Sequence, residues 1–279
     1  MGVGGAGGGP RRTPPTGSRR ALGLVSNHES GRRIHAGRFA PPDDLADIVD
    51  CFWEGAWDLR GQHAHESRLL ADPCIKIVVE SGDGSPGARI VGVWTRLWTR
   101  TLSGQGRVRG VKLRPGAAQA LLPGAAGDFT NAIVPLVDVR PAAARELTSG
   151  HPQPPSPDAF AAWVRRWRRT RVEDGQRAAI DAVRLIERSP GLMRAADLAG
   201  AMGINERRLQ RLFRAHVGAS PKFVLRRRRL QEAADELDRG AALALAHLAA
   251  ALGYSDQAHF TRDFRAATGM TPTAFRGQV

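Results

Sequence analysis

The 279-residue sequence contains only two cysteines, Cys51 and Cys74. Two thiols are too few for a disulfide framework or a four-cysteine zinc site, and they give no sign of an oxidising compartment. The longest apolar runs fall far short of the roughly 18 to 20 residues that a membrane-spanning helix requires. These shortages exclude a disulfide-stabilised secreted domain and a helical membrane span, and they favour a cytoplasmic location.

Acidic residues are also scarce. The sequence has 27 Asp and Glu against 41 Lys and Arg, a formal net charge of +14, and only Lys76, Lys112 and Lys222 are lysines. This surplus favours a polyanionic partner. Nucleic acid comes before an anionic membrane, because no long amphipathic anchor is visible. Hydrophobic residues make up 42% of the chain, which excludes a wholly disordered protein.

Composition changes along the chain predict an α+β fold class, with a β-rich amino-terminal domain and an all-α carboxy-terminal domain. Short alternating apolar stretches between Pro41 and Val139 are typical of strands, and later residues repeat apolar side chains at helical spacing. The predicted segments are a disordered tail at 1–20, a β-rich domain at 21–148, a Pro-rich connector at 149–157, a connecting helix at 158–175 and a helical domain at 176–279.

Within the β-rich domain, apolar runs bounded by Gly, Pro and Asp predict the strands, and two helical patterns interrupt them. A turn-forming stretch at 82–87 predicts a hairpin. The strands are expected at Cys51–Leu59, Cys74–Glu80, Arg89–Trp94, Arg100–Leu102 and Val108–Leu113, and the helical patterns at Pro42–Val49 and Ala117–Leu122.

The helical domain contains one pattern twice. In the first copy, Ala199 and Gly203 are four residues apart. A small residue lets a second helix cross the first, and glycine supplies the positive φ of a tight turn. Asn205 is placed to cap the second helix, and Leu209 with Leu212 anchors it to the first helix.

The second copy lies 50 residues further on. Ala249 and Gly253 repeat the spacing, and Ser255 is the expected cap. The apolar anchors Phe260 and Phe264 lie one residue further from the turn than Leu209 and Phe213 of the first copy. A single pattern of this kind is a weak signal. Two copies on a basic chain predict helix-turn-helix units that bind DNA.

The residues around both copies resemble the DNA-binding domain of the AraC/XylS family. The similar segments are Leu198–Asn205, Arg211–Arg214, Gly218–Pro221 and Arg229–Leu230 in the first copy, and Leu252–Phe260, Arg262, Phe264, Gly269–Pro272 and Phe275–Arg276 in the second. Two departures are Ala244–Ala246, where the family usually has a Ser/Thr-capped helix start, and Phe275 in place of Tyr. The resemblance implies two helix-turn-helix units rigidly joined by a helix from about Pro221 to Leu237. Their second helices would enter successive major-groove faces, about 34 Å apart.

Helical periodicity turns polar residues of each second helix outward when the apolar anchors face inward. Arg207, Gln210 and Arg211 match the family's base-contacting positions, and Arg and Gln can pair with guanine and adenine edges. In the second unit the corresponding base-reading candidates are Gln257, His259, Thr261 and Arg262. Ala258 offers only an apolar contact, so we expect weaker base recognition by the second unit.

Phosphate contacts are expected from helix starts and from further arginines. The candidates are Asn205, Ser255 and Thr271 at helix starts, and Arg208, Arg214 and Arg265 on exposed faces. The run Arg226–Arg229 could be a nucleic-acid patch, but on a helix it spreads around most of a turn. Some members are therefore expected to pair with acidic residues, with Arg229 in a structural role.

The β-rich domain resembles an uncharacterised domain that precedes such DNA-binding domains in bacteria, and we expect it to sense an effector or to mediate dimerisation. His63 and His65 form an H-x-H pattern that could bind a metal with Glu66 or Asp72, although polar loop residues are favoured and no metal is expected. The Trp pairs 53/57, 94/98 and 163/167 are expected to be core residues rather than a ligand cage.

Together these features predict a bacterial transcription regulator with no enzyme activity and no cofactor, because no catalytic triad order, phosphate-binding loop or paired carboxylates can be assigned. The expected partners are double-stranded promoter or operator DNA, RNA polymerase and an unidentified small-molecule effector, with a homodimer left open. Two alternatives are a DNA-repair alkyl acceptor that uses Cys51 or Cys74, and a non-specific nucleoid-associated protein.

Overall fold

The computed structural model describes residues 24–25, 34–69, 71–149, 153–169, 173–239 and 244–276. The tail predicted at 1–20 lies outside the described residues. Within them, strands occupy the amino-terminal half and helices the carboxy-terminal half, so the predicted α+β architecture is confirmed.

The strands form two antiparallel sheets. The larger sheet has the order β2-β3-β8-β5-β6-β9, and the smaller sheet has the order β1-β4-β7. The strands are β1 (Leu24–Val25), β2 (Ile34–Phe39), β3 (Val49–Asp58), β4 (His65–Leu69), β5 (Lys76–Gly82), β6 (Gly87–Val91), β7 (Trp98–Leu102), β8 (Gln105–Leu113) and β9 (Ile133–Pro135).

The larger sheet is covered on both faces. Because side chains alternate along a strand, Phe52, Ile77 and Val111 share one face and belong to the main hydrophobic core with the helices. On the opposite face, Val78 and Val108 pack with residues of the smaller sheet in a separate cluster. The sheet therefore separates a helix-facing core from a second space between the two sheets.

The predicted strands all occur with shifted ends, and the hairpin at 82–87 joins the antiparallel strands β5 and β6. The helical patterns at Pro42–Val49 and Ala117–Leu122 are wrong in extent. They are single 3₁₀ turns at Asp43–Leu45 and Ala118–Ala120. Apolar residues of the first segment, such as Ile48 and Val49, are buried in the main core, and β3 already begins at Val49.

The helices are α1 (Leu136–Val139), α2 (Pro141–Thr148), α3 (Pro157–Trp167), α4 (Asp174–Arg188), α5 (Ala195–Ala201), α6 (Glu206–Leu212), α7 (Pro221–Asp238), α8 (Leu245–Ala251), α9 (Gln257–Thr268) and α10 (Pro272–Arg276). Helix α6 continues into a π-helical turn at Phe213–Val217. The long helix predicted from about Pro221 to Leu237 is present as α7. No helix in the described ranges combines the length and apolar character needed to cross a membrane.

The connecting helix predicted at 158–175 is wrong in its extent, because α3 ends at Trp167. Arg168 has extended backbone angles, and its side chain donates to the carbonyl of Asp44 at 2.9 Å. The next backbone N–H, of Arg169, donates to the carbonyl of Ala120 at 2.8 Å. These contacts bind the chain to the β-rich domain instead of continuing the helix.

The two helix-turn-helix units have different hydrophobic surroundings. Leu198, Leu209 and Phe213 of the first unit belong to the same buried cluster as the β-rich domain. Phe260 and Phe264 of the second unit form a separate cluster with the carboxy-terminal half of α7. The first unit is therefore packed as an extension of the amino-terminal domain, and the second depends mainly on α7.

Candidate DNA-binding surface

The first helix-turn-helix is built by backbone hydrogen bonds around Gly203. Gly203 has φ +65°, and its N–H donates to the carbonyl of Gly200 at 3.0 Å. The N–H of Ile204 donates to the carbonyl of Ala199, also at 3.0 Å. The Asn205 side chain then accepts from the N–H of Arg208 at 2.8 Å. The predicted turn and cap are both present, and they set the start of α6.

The second unit repeats this turn but shifts the cap. Gly253 has φ +72°, and the N–H of Tyr254 donates to the carbonyl of Ala249 at 3.0 Å. The prediction of Ser255 as the cap is wrong. Asp256 accepts from the N–H of His259 at 2.7 Å, and the Ser255 hydroxyl donates to the Asp256 carboxylate at 3.2 Å. The extra residue after this turn moves the cap by one position.

Helix α6 presents a cationic outer face. Leu209 and Phe213 are fully buried, and the predicted outward residues on and just after the helix are all exposed: Arg207, Arg208, Gln210, Arg211 and Arg214. None of these arginines pairs with a carboxylate in the described part of the chain. Their guanidinium groups are thus available for external acceptors.

Helix α9 presents fewer available groups. Gln257, Ala258, Arg262 and Arg265 are exposed, and Thr261 is half-buried. His259 is held by the protein itself, because its Nδ1 lies 3.3 Å from the Ser255 hydroxyl and its ring packs edge-on against Tyr254. Helix α9 therefore offers fewer free polar groups to an external partner than α6 does.

Thr271, a predicted phosphate contact, lies before α10 instead of on a recognition helix. Its hydroxyl oxygen accepts from the N–H of Ala274 at 3.2 Å, so it caps that helix. A threonine hydroxyl that accepts a cap bond keeps its own proton for donation. The side chain can therefore cap α10 and still donate to a phosphate oxygen.

The arginine run on α7 is held by the protein itself. Arg226 lies 3.7 Å from Asp263, and Arg228 pairs with Glu232 at 2.7 Å. Arg229 donates to the carbonyl of Leu252 at 3.3 Å and stacks over the ring of Tyr254, with 4.8 Å to its centroid. The structural role expected for Arg229 is present, and its neighbours also make internal contacts.

Arg227 completes the run by contacting the amino-terminal domain. Its Nε donates to the carbonyl of Ala71 at 2.7 Å, and its Nη2 lies 3.7 Å from Asp72. These contacts come from sheet-connecting loops, and the spacing of residues in the sequence did not indicate them. These contacts attach α7, the helix that joins the two DNA-binding units, to the β-rich domain.

A second contact region between the domains lies at the π-helical turn that follows α6, and no pattern in the sequence indicates it. Thr130 donates to the carbonyl of Gly218 at 2.7 Å, and Gln119 donates to the carbonyl of Ala215 at 3.3 Å. The Gln119 side-chain oxygen also meets Nδ1 of His216. Burial lowers the pKa of His216 from its ordinary value, with Glu173 acting in the opposite direction.

The candidate metal ligands are not gathered into a site. His63 is exposed in the turn before β4, and His65 is the half-buried first residue of that strand. No group of three His, Cys, Asp or Glu side chains suited to a metal ion occurs among the residues that the structure describes.

The two cysteines are buried and free. Burial is the main cause that raises the pKa of Cys51 to about 11 and the pKa of Cys74 well above its ordinary value. Both thiols are protonated near neutral pH, and a thiol is a weaker nucleophile than a thiolate. Their environment disfavours the alkyl-acceptor alternative.

The three tryptophan pairs pack in hydrophobic clusters, as predicted, and two of the pairs also line a cavity. Trp163 and Trp167 pack on α3 against the main core, as expected. Trp53 and Trp57, together with Trp94 and Trp98, line a cavity between the two sheets.

Comparison with known proteins divides the chain into the same β-rich and helical parts. A family model described as a helix-turn-helix domain matches residues 198–278, and a model described as a domain of unknown function, DUF6597, matches residues 37–135. No curated protein matches the chain.

Several solved structures match parts of the chain of different length. A probable AraC family transcriptional regulator from Rhodopseudomonas palustris is 31% identical over 35% of this chain and 96% of its own, with a TM-score of 0.32. An AraC-type transcriptional regulator from Chromobacterium violaceum is 28% identical over 37% and 92%, with a TM-score of 0.35. ToxT from Vibrio cholerae is 11% identical over 78% and 98%, with a TM-score of 0.40.

The doubled turn geometry and the matched helix-turn-helix model define a DNA-binding protein of the helix-turn-helix class. The chain belongs to the AraC family of transcriptional regulators.

Proposed function

We propose that this regulator recognises a specific DNA sequence by inserting α6 and α9 into adjacent major-groove faces of one duplex. The observation that carries the proposal is the repeated turn at Gly203 and Gly253, each followed by a capped helix with an exposed polar face. An α-helix fits the major groove, where each base pair presents a distinct pattern of donors and acceptors.

The groups proposed for base contacts are Arg207, Gln210 and Arg211 on α6, with Gln257 and Arg262 on α9. His259 and Thr261 are placed to contribute less, since one is engaged with Ser255 and the other is half-buried. Arg208, Arg214 and Arg265 are proposed to contact phosphates. Asn205 and Thr271 keep a donor group while they cap their helices, but the Ser255 hydroxyl already donates to Asp256.

We propose further that the β-rich domain controls DNA binding in response to an effector or to association with a partner. This domain packs against the first unit through a shared hydrophobic core and through the hydrogen bond from Thr130 to the carbonyl of Gly218. A change in how this domain holds the first unit would alter the placement of α6 relative to α9. Contact with RNA polymerase and formation of a homodimer belong to the same proposal.

Selection of bound duplexes from a randomised pool tests the recognition proposal. We expect Arg211→Ala to flatten the preference at one base position, because a bidentate arginine–guanine pair gives about 1–3 kcal/mol of discrimination. Arg265→Ala should weaken binding to all sequences alike and reduce the salt dependence. Equal, sequence-independent losses in both variants would favour the nucleoid alternative.

A point substitution is the suitable test of the controlling role, because deleting the amino-terminal domain would expose the core that it shares with the first unit. Thr130→Val removes the hydroxyl that donates to Gly218. We expect it to change the affinity for all selected duplexes by a common factor and to leave the base preference intact. Unchanged affinity for every selected duplex would contradict control through this contact.

Mass spectrometry after treatment with a methylating agent tests the remaining alternative, a DNA-repair alkyl acceptor. We expect Cys51 and Cys74 to stay unmodified in the folded protein, because both thiols are buried and protonated. Methylation of either thiol at low reagent concentration would favour the alkyl-acceptor interpretation.

A further inference from the structure

A cavity of about 150 Å³ lies between the larger and the smaller sheet, on the side of the larger sheet that faces away from the helices. Its walls include the indole rings of Trp53, Trp57, Trp94 and Trp98. Trp94 and Trp98 are stacked, with 5.0 Å between their ring centroids. An aromatic lining of this kind favours a flat apolar ligand.

Two glycines opposite the tryptophans make room for their indole rings. Trp53 pairs across the sheet with Gly110, and Trp57 pairs with Gly106. A Cβ atom at Gly110 would lie 3.1 Å from the Trp53 Nε1, and one at Gly106 would overlap the Trp57 ring. The indoles therefore lie over the neighbouring strand, where a larger residue could not be accommodated.

Two of the indole N–H groups have no acceptor among the described residues. The Nε1 atoms of Trp53 and Trp94 are buried and unpaired, whereas Trp57 donates to the carbonyl of Ser103 at 3.0 Å. A buried donor without a partner is costly, and such groups are uncommon in native proteins. No hydrogen bond to the described residues therefore fixes the orientation of these two indole rings.

Charged side chains also line the cavity. Lys76 and Lys112 contact the Asp72 carboxylate at 3.0 and 3.1 Å, and Arg38 pairs with Asp50 at 3.1 Å. The residues that line the cavity include four cations, Arg38, Lys76, Arg100 and Lys112, and two carboxylates, Glu54 and Asp72. This excess of positive charge lies beside a partly apolar cavity, where an anion is favoured and a cation is repelled.

We propose that the cavity binds a small aromatic carboxylate, with the ring among the indoles and the carboxylate toward Lys76 and Lys112. The volume suits one ring, since a cavity of about 150 Å³ is known to hold benzene. Tryptophan walls also attract organic cations, but the surrounding cations oppose that class. The inference rests on the proposed effector role of this domain and assigns the chemical class of its ligand.

Titration of the full-length protein with benzoate tests the proposal, with binding measured by calorimetry and tryptophan fluorescence. Benzyl alcohol, benzylamine and cyclohexanecarboxylate are matched probes that change the charge or the ring. We expect benzoate to bind at least about tenfold more tightly than benzyl alcohol and benzylamine, the ratio that one charge-assisted hydrogen bond can give. It should also bind more tightly than cyclohexanecarboxylate, because an aromatic ring packs more favourably among the indoles. Equal affinity for benzoate and benzyl alcohol, or no binding of benzoate at millimolar concentration, would overturn the proposal.

Conservative tryptophan variants locate the site without removing an aromatic ring. Trp53→Phe and Trp94→Phe each replace an indole that lines the cavity by a smaller ring, and we expect each to weaken benzoate binding about three- to tenfold. Trp167→Phe on α3 is the control, because that residue packs against the main core, and it should leave binding unchanged. Equal losses in all three folded variants, or no loss in the first two, would contradict the assigned position.

DNA binding distinguishes failure of this inference from failure of the proposed function. If benzoate does not bind and Arg211→Ala still alters base preference, the ligand class is wrong and sequence recognition stands. If benzoate binds with the expected selectivity and DNA affinity is unchanged, the ligand class is supported and effector control through the cavity is wrong.

Discussion

The Nη2 atom of Arg227, on the helix that joins the two DNA-binding units, lies 3.7 Å from the Oδ1 atom of Asp72 in the amino-terminal domain. Asp72 is buried and also contacts Lys76 and Lys112. Burial alone would raise the pKa of Asp72, but Lys112, Lys76 and Arg227 outweigh it and hold the pKa well below its ordinary value. One ionised carboxylate thus connects the inter-sheet cavity with α7.

Replacement of Asp72 by Asn should destabilise the protein strongly. The change removes the buried carboxylate that the half-buried Lys76 and Lys112 share, and breaking a buried ion pair typically costs about 3–5 kcal/mol. Urea unfolding of the full-length protein measures the loss. Asp47→Asn is the control, because its pair with Arg168 is more exposed and such pairs contribute up to about 1 kcal/mol. Similar small losses in both variants would show that the Asp72 cluster does not hold the domains together.

Two nearby glycines should respond to alanine in opposite directions. Gly203 has φ +65°, and no atom lies within 4 Å of the place that a Cβ would occupy, so Gly203→Ala carries only backbone strain, about 1–2 kcal/mol for the left-handed region. Gly200 lies inside α5 with open space around it, and Gly200→Ala should stabilise the helix by about 0.5–1 kcal/mol. Urea unfolding of both variants compares them, and destabilisation by both would argue against the turn as the cause.

The doubled DNA-binding unit could be predicted from sequence because its determinants are local. The four-residue spacing of Ala199 and Gly203 leads directly to the backbone bond between Ile204 and Ala199. The Asn205 cap follows from the same short segment. In the second unit the turn is one residue longer, so the cap is Asp256 and not Ser255. The spacing from Ala249 to Phe260 in the sequence already indicated the extra residue.

The cavity and the domain contacts could not be predicted, because they depend on residues that are distant in sequence. Trp53 indicates an apolar position, but only the strand register shows that Gly110 lies opposite and leaves room for the ring. Likewise, nothing near Arg227 in the sequence indicates Asp72 as its partner. The helical interpretation of 158–175 failed for a related reason, since contacts with Asp44 and Ala120 end the helix early.

The start of α9 should depend on Asp256 rather than Ser255. Asp256 accepts the His259 N–H at 2.7 Å, and the Ser255 hydroxyl only supports that carboxylate. Asp256→Ala should lower the melting temperature by about 2–4 °C, the scale expected for a lost N-cap in a chain of this size. Ser255→Ala should have a smaller effect. Differential scanning calorimetry compares them, and a larger loss for Ser255→Ala would reverse the assignment of the cap.

His216 should make the contact between the β-rich domain and the first unit sensitive to acid. Its Nδ1 meets the side-chain oxygen of Gln119, and its Nε2 is packed against Gly175 in the first turn of α4. Protonation would place a positive charge at the positive end of that helix dipole. Burial lowers the pKa of His216, so the unfolded chain takes up the proton at a higher pH than the folded protein.

Stability should therefore fall as the pH decreases through about 6.5, the ordinary histidine pKa, and this contribution should level off below the lowered pKa of the folded state. Urea unfolding between pH 8 and pH 5 measures the slope. His216→Gln should reduce it, because glutamine does not titrate, while His247→Gln on the exposed face of α8 serves as the control. If His216→Gln keeps the full slope and His247→Gln removes it, the acid sensitivity arises at the second unit and not at the domain contact.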